Sequence, residues 1–194
     1  MKGPSCIVSH AYKIHKQDAA YFMTIQVVKW VDIFTRKRYK EIVVDAMNYA
    51  IQNKGLIVYS YVIMSNHVHL VASADYKNLS EVTGRLKSHT SKKLIESICN
   101  ETESRREWML DLFTEARLTH KRNSNYQIRT HENHAEECYS PAFTTSKIKY
   151  IHDNPVKAGI VESPEEYMHS SAVNYSGRKG MVPVVILHPH LAFR

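Results

Sequence analysis

The sequence predicts one α+β domain, in which a small antiparallel or mixed sheet is covered on one face by helices. Three observations predict this fold class. A hairpin of apolar β-forming residues lies in the first half of the chain, segments with helical apolar spacing flank it, and 43% of the 194 residues are hydrophobic. That composition supports one packed core. We therefore expect a single domain over residues 1–194 with its core at about residues 20–177.

The first half of the chain predicts a strand, a helix and a hairpin. Residues Ala20–Trp30 are rich in aromatic and β-branched types, as in a partly buried strand. Apolar residues then recur at helical spacing until Gly55, where a preceding lysine and the glycine are typical of a helix end. The hairpin joins predicted strands at Leu56–Met64 and His67–Ala72 through a tight two-residue connection.

Two helices are predicted after the hairpin. Asn78 and Glu81 resemble a capping pair that opens the first of them, which runs to about Ile98. The stretch Glu103–Arg117 is predicted to form the second. Its expected packing residues are Trp108, Leu112 and Phe113.

A final strand and a further helix are predicted next. Asn125–Thr130 is predicted as the last strand of the sheet, and Ser140 starts a helix that reaches about Asp153. Pro155 biases the preceding residue away from helical backbone angles. We therefore expect Asn154 at the exit of this helix and not on a regular turn.

The C-terminal part of the chain predicts a short helix and an irregular apolar run. The helix is expected between about Pro164 and Gly177. The apolar run from Val182 to Leu187 is interrupted by Pro183, which predicts an edge strand or a tail.

His67 and His69 are the candidate functional residues of the hairpin. Strand alternation places both imidazoles on one face, about 7 Å apart, whereas Val68 and Leu70 point to the other face. A lone histidine is usually a satisfied core or surface residue. Two imidazoles at the mouth of a strand in an apolar sheet would be costly without a partner. We therefore expect them to share a divalent cation or an acidic substrate.

The charge of the chain favours a polyanionic partner. The formal net charge is +7, and phosphate neutralisation provides affinity that does not depend on sequence. The helix after the hairpin has a basic side, although a charge run on a helix is usually only a solvated face. The candidate DNA-binding residues on it are Arg85, Lys87, Lys92 and Lys93.

Composition argues against a membrane protein or a secreted protein. No apolar run approaches the roughly 18 residues of a membrane helix, and the N-terminal residues lack a secretory signal. The three cysteines form no CxxC pair, which favours reduced thiols. We expect a cytoplasmic protein without a membrane partner.

Two motifs lie on the predicted hairpin and on the predicted helix after Ser140. They are YVIMSNHVHLVAS (Tyr61–Ser73) and YIHDNPVKAGIV (Tyr150–Val161). A bare HxH is a weak signal, but both motifs in this order resemble the single-tyrosine HUH transposases, and more closely their REP-associated tyrosine transposase branch. The resemblance extends from about Tyr21 to Gly180.

The resemblance implies a ferredoxin-like (RRM-like) antiparallel sheet with helices packed on one face. Its central strand would carry the HUH histidines, facing a helix with a nucleophilic tyrosine. Tyr150 matches this nucleophile, and His67 and His69 match the metal-binding pair. Asn154 matches the polar residue that completes the metal shell, where relatives usually have Gln. The implied cofactor is Mg²⁺ or Mn²⁺.

The implied reaction is metal-dependent cleavage and rejoining of DNA through a 5′-phosphotyrosine intermediate. The implied partner is single-stranded DNA, which could form a hairpin. A homodimer is slightly favoured over a monomer, and the sequence leaves open whether Tyr150 acts within one chain or across a dimer.

One departure from the family pattern keeps other readings open. Related sequences typically have Trp-Gln just after the predicted last strand, whereas this chain has Arg129 and Thr130. A first alternative is therefore an inactive or domesticated nucleic-acid-binding protein of the same fold. A second is a metal-dependent hydrolase in which Tyr150 is only structural.

Overall fold

The sheet of this protein consists of four antiparallel strands. The structure, a computed structural model, describes residues 13–76, 78–118, 125–130 and 134–187. The strands within these ranges are β1 (Tyr21–Gln26), β2 (Leu56–Ile63), β3 (His67–Ala74) and β4 (Glu136–Glu137). They pair antiparallel in the order β2-β3-β1-β4, so that β3 has a neighbour on each side. The predicted α+β fold class is confirmed.

Helices pack on both faces of the sheet. The α-helices in the described ranges are α1 (Lys37–Lys54), α2 (Leu79–Asn100), α3 (Arg106–Leu118), α4 (Pro141–Lys157) and α5 (Ala172–Tyr175). Short 3₁₀ helices span Val28–Trp30, Ile33–Thr35 and Pro164–Glu166. None of the helices described is long and apolar enough to cross a membrane.

The two faces of β3 belong to two apolar cores. Val68 and Leu70 join the larger core, together with residues of α1 and α2. Val71 points to the other face and joins Phe22 of β1 and Ile151 of α4 in a smaller core. We expected helices on one face of the sheet. α1 and α2 do pack on one face, and α4 covers part of the opposite face. This second layer is needed because β3 is buried along nearly its whole length.

The predicted hairpin and the predicted end of α1 are confirmed. Gly55 follows α1 with a left-handed φ of 68°, a conformation that glycine adopts without steric cost. The amide of Met64 donates to the carbonyl of His67 at 2.9 Å and closes the tight connection. Val62 of β2 pairs with His69 of β3 in the resulting register.

The first strand is shorter than predicted. β1 ends at Gln26, because the chain turns at Lys29 and Trp30, which have positive φ values of 53° and 56°. A residue with positive φ cannot continue a β-ladder. The predicted strand at Asn125–Thr130 is wrong: this segment forms only an isolated bridge between Val27 and Arg129. The strand that pairs with the other end of β1 is β4.

Several helix details also differ from the predictions. The side chain of Asn78 makes no capping hydrogen bond to α2. Trp108 is 49% exposed, whereas Phe113, five residues later on α3, is fully buried. α4 continues through Pro155 to Lys157, so the expected helix exit at Asn154 is wrong. Proline cannot donate the helical hydrogen bond at this position, and the Pro155 side chain is buried.

The C-terminal segment is a tail that runs beside β2. The predicted helix at residues 164–177 is divided into a 3₁₀ turn and the short α5. The run from Val182 to Leu187 forms no strand. Backbone amides at three places nevertheless bond along the outer edge of β2: Ile63 donates to His169 at 3.0 Å, Ser171 donates to Tyr61 at 2.9 Å, and Val185 donates to Val58 at 2.9 Å.

Candidate active site

The two hairpin imidazoles and the α4 tyrosine meet on the face of the sheet covered by α4. The Tyr150 hydroxyl lies 3.4 Å from Nε2 of His69. The ring centroids of His67 and His69 are 4.6 Å apart, and those of His69 and Tyr150 are 5.2 Å apart. All three side chains belong to one chain.

His69 is held in place by its neighbours on β1. Its Nδ1 lies 2.9 Å from Oγ1 of Thr24, and its ring stacks on Phe22 with centroids 5.3 Å apart. These contacts follow from the sheet register, in which Thr24 pairs with His69. Burial, together with the charges of His67 and Lys147, lowers the pKa of His69 to about 3. The imidazole is therefore neutral at physiological pH.

His67 keeps a nitrogen lone pair available beside His69. Its Nδ1 lies 2.7 Å from Oδ1 of Asn66, and in this orientation an amide oxygen can only accept, so Nδ1 carries the proton. Burial lowers the pKa of His67 as well. With Nδ1 of each ring engaged by a neighbour, Nε2 is the atom of each ring left to bind a cation.

The two imidazoles would need further ligands to hold one divalent cation. No group of three or more His, Cys, Asp or Glu side chains that could hold a metal occurs in the described parts of the chain. Two imidazole nitrogens would therefore need oxygen ligands from elsewhere. Asn154 lies four residues after Tyr150 on α4, and its amide could supply one oxygen. Water or a phosphate oxygen would complete the shell, as Mg²⁺ and Mn²⁺ commonly require.

Tyr150 is accessible from solvent. Its side chain is 41% exposed, although its ring touches His69 on one side and lies with its centroid 6.0 Å from that of Phe22. Nζ of Lys157 lies 5.6 Å from the tyrosine ring centroid. The tyrosine is therefore partly open to solvent, with one positive charge near its ring.

His69 is a poor acceptor for the Tyr150 proton. Nε2 cannot bind a cation and accept this proton at once, since it has one lone pair in the plane of the ring. A base with a pKa of about 3 takes a proton poorly at neutral pH. Burial and the nearby charge of Lys147 therefore disfavour a proton on His69.

The predicted DNA-binding cations of α2 do not lie at this site. α2 packs in the larger core with Val68 and Leu70, on the face opposite to the imidazoles. Arg85 pairs with Glu81 at 2.6 Å. The side chain of Lys93 similarly pairs with that of Glu96 at 2.8 Å, and Lys92 is exposed.

Lys87 differs from the other three cations because it faces inward. It lines an apolar cavity between α2 and the sheet together with Arg129. Burial, together with the charge of Arg129, lowers the pKa of Lys87 to about 8. Burial also lowers the pKa of Arg129 to about 9, and its Nε donates to Oγ of Ser91 at 2.9 Å.

Thr24 and Phe22 are site neighbours that sequence reasoning missed, whereas the sequence already places Lys147 on the Tyr150 face of α4. Nζ of Lys147 lies 4.4 Å from the Phe22 ring centroid and 2.8 Å from a carboxylate oxygen of Glu136. Its three-residue spacing from Tyr150 was a usable signal, since such residues share a helix face. Thr24 and Phe22 could be found only from the pairing of β1 with β3.

Comparison with known proteins gives three findings. A family model described as IS200-like transposase matches residues 18–116. The fold is similar to a solved structure of a REP-associated tyrosine transposase bound to a REP hairpin, with a TM-score of 0.57 and 11% sequence identity. That similarity covers 91% of this chain and 92% of that chain, and at this identity it shows a shared fold. No curated protein matches the sequence.

Proposed function

The chain belongs to the IS200-like transposase family, and from this premise we propose that it is a metal-dependent transposase that cleaves and rejoins single-stranded DNA. The reaction would pass through a 5′-phosphotyrosine intermediate. The observation that supports this proposal is the 3.4 Å distance between the Tyr150 hydroxyl and Nε2 of His69, on a tyrosine that is 41% exposed. Tyr150 lies outside the matched residues 18–116, so its role rests on this geometry and on the resemblance of its motif.

Each residue of the site would have one role. Tyr150 would be the nucleophile, and His67, His69 and Asn154 would hold Mg²⁺ or Mn²⁺. Such an ion, when bound, polarises a phosphate and stabilises charge on its non-bridging oxygens. Thr24 and Asn66 would orient the two imidazoles through their Nδ1 atoms.

Cleavage would be an in-line displacement at phosphorus. The Tyr150 oxygen would form a bond to the phosphorus atom while the bond to the 3′ oxygen breaks, and the phenol proton would leave to solvent. The products are a phosphotyrosine at the 5′ end and a free 3′-OH. Because the number of phosphodiester bonds is conserved, the 3′-OH of another strand could attack the phosphotyrosine and release Tyr150 without ATP.

The substrate would combine a single strand with a hairpin stem. The structural neighbour is bound to a REP hairpin, and the net charge of +7 suits such a partner. The single strand would lie at Tyr150. We propose the α2 cations as contacts to a stem on the other side of the sheet; they are Arg85, Lys87, Lys92 and Lys93. Of these, Lys87 is the least available, because it lines an internal cavity.

A covalent-adduct assay tests the catalytic proposal. The protein is incubated with labelled single-stranded DNA and Mn²⁺, and adducts are resolved under denaturing conditions. We expect an adduct with the wild-type chain and none with Tyr150→Phe. Tyr49→Phe is the matched control, since Tyr49 is 57% exposed on α1, and it should form the adduct normally.

The other outcomes would identify other functions. DNA binding without any adduct would indicate a non-catalytic binding protein of the same fold. Cleavage that survives Tyr150→Phe would indicate a hydrolase with a structural tyrosine. A homodimer, which would bring two DNA ends together, is tested by light scattering with and without DNA.

A further inference from the structure

The N-terminal half of α4 carries aromatic and basic side chains that lead toward Tyr150. Tyr139, just before α4, stacks on Phe143 with ring centroids 4.8 Å apart and an interplanar angle of 27°. Nζ of Lys147 lies 5.0 Å from the Phe143 ring centroid and 4.4 Å from that of Phe22. Phe22 in turn stacks on His69. These contacts form an uninterrupted row from the start of α4 to the candidate active site.

Helical spacing explains why the residues of this row on α4 lie on one side of the helix. Phe143, Lys147 and Tyr150 are separated by four and three residues, so they lie on one face of α4. The distance along the helix axis from Phe143 to Tyr150 is about 10 Å, at about 1.5 Å per residue. Roughly three bases stacked at about 3.4 Å along a strand would cover this length.

Tyr139 presents one free ring face to solvent. A tyrosine that only anchored the first turn of α4 would bury its ring, but Tyr139 is 73% exposed even though Phe143 covers one side. The helix start is fixed independently, since Oγ of Ser140 accepts from the amide of Phe143 at 3.2 Å. Exposed aromatic faces beside a cation are the usual platform for the bases of single-stranded nucleic acid.

Lys147 is the cation of this row, and its ion-pair partner Glu136 is partly exposed to solvent. It pairs with Glu136 at 2.8 Å, and the side chains of Lys147 and Glu136 are 21% and 36% exposed. A phosphate could replace the Glu136 carboxylate, because both are anionic oxygen acceptors of one ammonium group.

We propose that Tyr139, Phe143 and Lys147 form a binding track for the single-stranded nucleotides next to the scissile phosphate. A base stacks on the free face of Tyr139, and the strand's phosphate binds Lys147 in place of Glu136. The track is tolerant of base identity, because stacking uses the π-face that every base has. This inference rests on the proposed function, since it takes Tyr150 as the end point of the track.

The test measures binding separately from cleavage. All variants carry Tyr150→Phe and are titrated without metal against oligo-dT containing one 2-aminopurine, whose fluorescence falls when it stacks on an aromatic ring. We expect Tyr139→Ala to weaken binding by about five- to a hundredfold and to abolish the fluorescence change. Tyr139→Phe should preserve both, and Tyr76→Ala, which changes a 74% exposed tyrosine elsewhere, should have no effect.

Two charge variants test the role of Lys147. Lys147→Gln should lower the slope of log affinity against log salt by about 0.7, the value for one phosphate contact on a single strand. Glu136→Gln should strengthen binding, because it frees Lys147. A midpoint of thermal unfolding equal to that of the wild type shows that each variant retains the fold.

Failure of the track and failure of the catalytic proposal give different results. If Tyr139→Ala binds oligo-dT as the parent does, with the same fluorescence change, the track is overturned, even if Tyr150 forms the adduct. If the wild-type chain forms no adduct while Tyr139→Ala still loses binding, the catalytic proposal is overturned and the track remains.

Discussion

The hydroxyl of Tyr150 lies 3.4 Å from Nε2 of His69, although 81 positions separate the two residues along the chain. The contact depends on the way α4 packs against the sheet. Ile151, next to Tyr150, is fully buried in the smaller core with Phe22 and Val71. The position of the candidate nucleophile is therefore set by an apolar interface.

Weakening this interface should displace the tyrosine. Ile151→Ala removes a fully buried side chain, so we expect the free energy of unfolding to fall by about 2–4 kcal/mol. Adduct formation should fall as well, since α4 loses its anchor. Ile160→Ala, at a 49% exposed position just after α4, is the control and should leave both nearly unchanged. Chemical denaturation and the adduct assay measure the two effects, and equal stability of both variants would refute the interface argument.

Thr24 should control metal affinity without touching the metal. Thr24→Val keeps the shape of the side chain but removes the hydroxyl that lies 2.9 Å from Nδ1 of His69. We expect Mn²⁺ binding to weaken by about 10- to 100-fold, as when a ligating histidine loses its hydrogen-bonding partner. Isothermal titration calorimetry gives the affinity. Thr145→Val, at an exposed position on α4, is the control, and equal Mn²⁺ affinity of the two variants would remove Thr24 from the site.

Asn154 should matter through its amide oxygen. Asn154→Ala should weaken Mn²⁺ binding and reduce adduct formation, whereas Asn154→Gln should retain both, because it keeps a neutral oxygen donor. Asn154→Asp should bind Mn²⁺ more tightly, since it adds a negative charge. The same calorimetric titration applies to all three. Wild-type behaviour of the alanine variant would show that Asn154 is not a ligand.

Glu103 should be a stability determinant far from the site. Its fully buried side chain accepts from Nη2 of Arg36 at 3.1 Å, from the hydroxyl of Tyr39 at 3.0 Å and from the amide of Arg105 at 3.1 Å. Burial raises its pKa, but these interactions outweigh burial and bring it to about 2. Glu103→Gln should lower the free energy of unfolding by about 3–5 kcal/mol at pH 7. Glu107→Gln, at an exposed position of α3, should change it little; urea denaturation that gives the same value for both variants would contradict this.

The protein should lose stability in mild acid partly through His169. Burial first, and then the charge of Lys40, lowers its pKa to about 4. The unfolded chain therefore binds the proton more tightly than the folded one, so the free energy of unfolding falls as pH decreases from about 6.5 to about 4. The share of His169 is up to roughly 3 kcal/mol. His169→Gln should flatten the pH dependence in urea denaturation series, while His89→Gln, exposed on α2, should not; parallel curves for wild type and His169→Gln would refute it.

Local pattern predicted the elements whose determinants are close in sequence. The hairpin and the end of α1 at Gly55 need only alternation, a tight connection and a left-handed residue. The predicted strand at Asn125–Thr130 was wrong because its β-like composition does not indicate where β1, its pairing partner, ends. The prediction that Trp108 packs in the core was wrong. Apolar residues at helical spacing do not show which of them lies at the exposed margin of the apolar face.

Sequence reasoning predicted that His67, His69 and Tyr150 lie together, as they do in the structure, but not which side chains surround them. Alternation placed His67 and His69 on one face, and the motif resemblance added Tyr150 and Asn154. Thr24 and Phe22, which contact His69, come from β1, whose pairing with β3 cannot be read from β3 or α4 alone. The sequence also did not show that α2 packs on the sheet face opposite to His67 and His69. Which face its apolar side packs against is decided only in the folded core.

The segments that bond along the outer edge of β2 also restrict self-association. Among the described residues, Ile63, Tyr61 and Val58 each form one backbone hydrogen bond with the segment 169–185, which leaves fewer groups of this edge for a strand of another molecule. A chain shortened to end before Met181 would leave the Val58 carbonyl unpaired beside apolar side chains. Loss of solubility on truncation would then arise from the uncovered sheet and not from any damage to the candidate catalytic residues.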